Sequence, residues 1–137
     1  DDGLTWAPKQ RWCWDDGEQV TMSQTQQHWL AHSERLYLVY TRRGANNDHV
    51  MRHRAPLFIA EVDPVRLCVR RATERILIPE SNADIGGGFG VVEVSAGETW
   101  VITSEIPTKG SRDYNRVLMA RLTWAEPNRL FSPSPKN

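Results

Sequence analysis

The chain has 137 residues, of which 25% are charged and 39% hydrophobic, a balance that suits one globular domain rather than a disordered segment. Lys plus Arg and Asp plus Glu both number 17, so there is no net charge, which argues against a dedicated nucleic-acid binder with its basic excess. No apolar run approaches the length of a membrane span, and the only two cysteines, Cys13 and Cys68, are too few for a disulfide framework and lack zinc-ligand spacing. Both are predicted to be buried free thiols. The chain opens at Asp1 with neither the basic nor the apolar region of a signal peptide, so a processed protein or a fragment is expected, and its compartment is not legible.

In chain order, DDGLTW comes first and reads as a tight turn. An Asp carboxylate caps backbone N–H groups, a Gly takes positive φ, and the Trp packs on neighbouring strands. The next stretch, TWAPKQRW, reads as one extra strand. Then follow HWLAHS, RLYLVYT, PLFIAEVD, CVRRATERILIP, FGVVEVS, ETWVITSE and RVLMARLTW. Each is short and rich in Val, Ile, Leu, Tyr, Trp and Thr, and each is bounded by turn residues. No segment sustains an apolar stripe at period 3.6, so no long helix is predicted. PNRLFSPSPKN reads as a Pro- and Ser-rich tail from residue 127, leaving 1–126 as the folded part.

Connections alternate between short and long. Tight turns fall at Glu34-Arg35, Asp63-Pro64 and Ala96-Gly97, and long loops at 42–54, 80–89 and 106–115. The predicted fold is therefore all-β, built from antiparallel four-stranded meanders of the kind that form blades of a β-propeller. One blade spans about 25–79, and a second starts at Phe89 and reaches its third strand near 116–124. In this topology the long loops share one face with the mouth of the central channel, where Gln26, Gln27 and His28 are placed. The tight turns share the other.

DDGLTW also matches the core of the Asp-box, with Asp1, Gly3, Thr5 and Trp6 as its structural positions. With QQHWLAHSERLYLVYTRRGANNDHVMRHRAPLFIAEVDP and FGVVEVSAGETWVITSE, it makes the chain resemble the sialidase superfamily of Asp-box (BNR) repeat β-propellers, over most of residues 1–126. The later blades lack an Asp-box; Asp63-Pro64-Val65-Arg66-Leu67 stands in its place. The resemblance implies a six-bladed propeller, so this chain would be a C-terminal portion whose remaining blades come from its parent. It also implies a glycoside hydrolase that removes terminal sialic acid or a related acidic sugar, secreted or periplasmic, with the isolated chain inactive. A non-catalytic glycan-binding or structural propeller is the alternative.

By the same resemblance, arginines from several blades hold the sugar carboxylate, a Tyr activated by a Glu is the nucleophile, and an Asp is the acid/base. A guanidinium fork suits a carboxylate because it binds it bidentately. The run RRGANNDHVMRHR at 42–54 supplies Arg42, Arg43, Arg52 and Arg54, of which Arg43 and Arg54 are favoured as inward-facing. Asp48 and His49 are candidates for acid/base work or hydroxyl binding, Asn46 and Asn47 for hydroxyl recognition or turn geometry, and His28 for the channel mouth. Glu93, mid-strand among apolar residues, is a candidate activated base; Tyr114 and Glu105 are weaker candidates. A solvated charged turn is the competing reading of 42–54, and structural roles compete for His28 and His32. GGGFG at 86–90 lacks the Lys-Ser/Thr of a phosphate loop and suits a close backbone approach instead. No cofactor or metal is implied, and the expected partner is a glycan.

Overall fold

The structure, a computed structural model, describes residues 3–81, 84–106 and 116–133, with only the backbone described at Asp84. It is all-β, with antiparallel strands and, among the described residues, only two single-turn 3-10 segments, Met51–His53 and Arg71–Thr73. No helix among the described residues is long and apolar enough to cross a membrane.

The first sheet holds β1 (His28–His32), β2 (Arg35–Tyr40), β3 (Leu57–Asp63), β4 (Cys68–Val69) and β5 (Arg75–Ile78). β1, β2 and β3 form a meander, and β4 and β5 both pair with β3. The second sheet is the meander β6 (Asp84–Ser95), β7 (Glu98–Ile106) and β8 (Arg116–Thr123). Period-2 alternation divides the first sheet's side chains between two cores. Leu30, Val39, Leu57 and Ile59 meet Ile85, Phe89 and Val101 of the second sheet. Leu38, Tyr40, Phe58 and Val62 face the other way, onto Trp14 and Val20 of the preceding segment.

The sequence reading needs adjusting in three places. TWAPKQRW is no strand: Gly3–Gln10 are exposed, Pro8 offers no ladder donor, and the first pairing is a Cys13–Gln19 bridge around the Asp16-Gly17 turn. CVRRATERILIP is split, because Thr73 Oγ1 accepts from Glu61 N (2.9 Å) and donates to Arg70 O (2.7 Å), lifting residues 71–73 off the ladder. β6 begins at Asp84 rather than Phe89, so the three glycines 86–88 lie within the strand, where the β6–β7 register shifts. Cys68 is a buried free thiol as expected, whereas Cys13 is only partly covered. The tight turn at 63–67 is capped by its aspartate: Asp63 Oδ1 accepts from Val65 N and Arg66 N, both at 3.0 Å, and Leu67 takes φ 52°.

The chain after β8 does not trail off at once. Asn128 is 6% exposed and clasps the β1–β2 turn to the β6–β7 turn. Its Oδ1 accepts from Ser33 N (2.6 Å), its Nδ2 donates to Ala31 O (3.0 Å), and its backbone N donates to Ala96 O (2.6 Å). Both tight turns therefore lie at one end, and the β2–β3 loop lies at the other. Asn128→Ala keeps the backbone bond to Ala96 O but leaves Ser33 N and Ala31 O without their side-chain partner, and is expected to cost about 3 kcal/mol in urea denaturation. A loss below about 0.5 kcal/mol would mean that the clasp carries little of the packing.

Candidate functional site

The 42–54 loop is built before it binds anything. Arg42 forks onto Glu74 (Nε–Oε1 2.8 Å, Nη2–Oε2 2.6 Å) and also donates to the carbonyls of Arg43 and Gly44. Its guanidinium lies over the Phe58 and Trp14 rings, at 4.8 and 5.6 Å from their centroids. Tyr40 donates to the same Glu74 carboxylate at 2.7 Å, and burial followed by that bond pushes the phenol far above its ordinary value. Asn47 is fully buried; its Nδ2 donates to Arg42 O (2.9 Å) and Ala55 O (2.8 Å), drawing the loop's ends together. Arg42 and Asn47 are therefore loop anchors, their polar groups already spent inside the protein: this corrects the reading of Arg42 as a ligand contact, and for Asn47 it favours turn geometry over hydroxyl recognition. Gly44, with φ +70°, and Asn46, with φ 54°, make the turn between them.

The other candidates separate by place. Arg43 and Arg52 are exposed on the loop. Asp48, its side chain 94% exposed, stands 3.4 Å from His53, and His49 meets Glu80 at 2.5 Å; each is an ion pair only with the imidazole protonated. Glu93 is exposed and takes Asn128 Nδ2 at 3.3 Å, so it lies at the opposite end from the loop and does not face the same space. Trp6 is 88% exposed, so the strand packing expected of an Asp-box Trp is not made. Gly3 keeps the predicted positive φ, at +82°, and Thr5 is exposed beside it. Asp1 and Tyr114 fall outside the described residues.

Arg54 differs from its neighbours. Partly buried, it lays its guanidinium on the backbone of β6: a Cβ added at Gly87 would fall 2.9 Å from Arg54 Cζ and 3.0 Å from Nη2. Its Nε is buried and has no hydrogen-bond partner among the described residues. The glycine run is the reason that it fits. A side chain at Gly87 would occupy the guanidinium's place, and one at Gly86 would collide with Ser104 Oγ.

Beside this seat, Gln26, Gly88, Phe89, Thr103, Ser104 and Val117 line a shallow hollow of about 440 Å³. Gln26 Oε1 lies 3.4 Å from His28 Nε2, and the His28 ring leans on Phe89 with centroids 5.0 Å apart. On the inner face of β7, Glu105 is 3% exposed and takes Ser81 Oγ at 2.6 Å and Arg116 Nε at 2.5 Å. The Ser81 bond, then Arg116, holds its carboxyl below the usual carboxylate range against the opposing effect of burial. Sequence reading missed the seat at Gly87 and the Glu105 pairing. The glycine run was visible, but nothing in the letters said which side chain would land on it. No known protein family, curated protein or solved structure matches this chain.

Two measurements test this anatomy. In urea denaturation Arg42→Ala, which strands Glu74 beside Tyr40, is expected to cost about 3 kcal/mol. Arg43→Ala and Arg52→Ala are each expected to stay within about 0.5 kcal/mol of wild type. Glu105 has a lowered folded-state value, so its stabilisation is present above the unfolded value of 4.5 and is lost as pH falls through the folded one. Stability measured against pH is expected to fall below about pH 4.5, and less steeply in Glu105→Gln. Equal acid limbs in the two proteins would remove Glu105 from this role.

Proposed function

We propose that this chain is part of a sialidase-like β-propeller that binds an acidic sugar, and that Arg54 takes the sugar carboxylate. One observation carries this reading. Arg54 is a half-buried guanidinium on a glycine floor, with its Nε unpartnered among the described residues. Such a group is partly stripped of water yet not neutralised, so a carboxylate that reaches its Nη groups, Nε itself being closed to solvent, gains a charge-assisted bond at a low desolvation cost. The neighbouring Gln26, His28 and Ser104 suit hydroxyl recognition. Two successive antiparallel meanders, packed face to face with tight turns at one end and long loops at the other, support blades of a propeller as their architecture. The Asp63 turn, at the place where an Asp-box belongs, supports it further.

A second reading, binding without catalysis, is favoured by the tyrosine–glutamate pair that the described residues offer. Tyr40 has no exposed surface and its Glu74 is locked by Arg42, so this pair is not a nucleophile and its base. In the parent propeller, turnover would then depend on groups from other blades.

Titration of the chain with N-acetylneuraminic acid, followed by NMR, tests the site. Arg54→Ala is expected to weaken binding by at least about tenfold, a change of about 1.4 kcal/mol. Gly87→Ala is expected to weaken it in the same direction by displacing the guanidinium, and Arg43→Ala to leave it nearly unchanged. Equal binding by wild type and Arg54→Ala would sink the reading. A fluorogenic sialoside offered to the parent protein decides between hydrolysis and binding alone.

A further inference from the structure

A second concavity lies at the other end, away from Arg54. It measures about 710 Å³ and lies between the β1–β2 turn and the segment 124–129. That size falls within the range of small-molecule sites. Asn128 holds its outer wall in place through the bonds to Ser33 and Ala31.

Three rings line it. Trp124 stacks on His32 with centroids 4.1 Å apart and planes at 29°, and Tyr37 leans against Trp124 at 5.5 Å. Two of the rings' polar atoms are engaged within the protein: Trp124 Nε1 donates to Thr99 Oγ1 at 3.0 Å, and His32 Nε2 lies 3.0 Å from Glu126 O. These two rings therefore present mainly carbon to the cavity. The rim is charged but balanced. Arg129 and Glu34 pair at 2.6 Å with both side chains largely exposed, and Arg35 and Glu126 stand beside them. An exposed pair of that kind exchanges readily for ligand contacts.

These features select a ligand class. A rim with two arginines and two glutamates has no net charge to hold a polyanion. A peptide strand needs a free sheet edge; β2, which supplies Arg35 and Tyr37, is paired on both sides by β1 and β3, and the edge strand β1 reaches the cleft only at its last residue, His32. A metal ion is not indicated, since the described residues hold no cluster of three or more ligating side chains. An uncharged ring with one apolar face and a hydroxylated edge fits: the face lies on the aromatic wall, and the hydroxyls meet the donors and acceptors of the rim. We infer that this cleft is a binding site for a neutral pyranose, separate from the Arg54 site and independent of its function.

The test titrates the isotope-labelled full chain with methyl β-galactoside, methyl α-glucoside and N-acetylglucosamine, following the Trp124 indole N–H. At least one of these sugars is expected to shift that resonance saturably, with a dissociation constant of about 1–100 mM. Arg35→Ala or Glu126→Gln, both at exposed positions, is expected to weaken binding at least about threefold with circular dichroism and Tm unchanged. Arg54→Ala is expected to leave it intact, which separates this site from the acidic-sugar site. Absence of a shift with all three sugars, or an affinity that neither rim variant alters, overturns the inference. So does preferential binding of an aromatic-rich peptide over every sugar.

Discussion

One buried amide sets the relation between the two sheets. Asn128 reaches the β1–β2 turn with its side chain and the β6–β7 turn with its backbone, and so joins turns far apart in sequence. The apolar contact between the sheets drives them together, but it is non-directional and tolerates sliding. Hydrogen bonds of defined geometry do not. The clasp therefore supplies the alignment that the core between Val39, Leu57, Phe89 and Val101 could not supply alone.

Alignment at one end decides contacts at the other. Arg54 ends the β2–β3 loop on the first sheet, and Gly87 belongs to the second. The guanidinium rests on Gly87 only with the sheets aligned as they are, because sliding one past the other by two residues would carry it off the glycine run onto Ile85 or Phe89. The glycine run makes the contact possible, and the clasp makes it reproducible. This is a chain of positions from Asn128 through the sheet interface to Arg54, and it involves no movement.

Much of this was legible in the letters. Alternating apolar residues and the Asp63-Pro64 and Ala96-Gly97 pairs mark strands and turns because the information is local: period 2 and turn chemistry act within a few residues. The first tight turn falls one residue early, at Ser33-Glu34, since Ser33 adopts φ 54° and Arg35 already pairs with His32. What was not legible depends on distant partners. An Asn between Pro127 and Arg129 looks like any loop residue until two turns close on it. Arg42 and Arg54 have the same side chain within one loop, yet Glu74 takes the first and a glycine floor receives the second. TWAPKQRW has strand-like residues at its ends, but a strand needs a neighbouring strand, and among the described residues Trp6–Gln10 are exposed and belong to no ladder or bridge.

The zero net charge has the same explanation at a finer scale. Carboxylates face Arg70, Arg71, Arg116, Arg121 and Arg129, as Glu74 faces Arg42. In the 42–54 loop, Arg42 alone of the four arginines has a carboxylate partner among the described residues. Arg43 and Arg52 are solvated, and water screens their charge. Arg54 is partly withdrawn from water by Gly87 and the surrounding backbone, so its field is screened less and acts over a short distance in one direction. Balance over the whole molecule is thus compatible with a local positive site. That site is set by which guanidinium is left both unpaired and half-buried, and the number of arginines in the loop does not determine it.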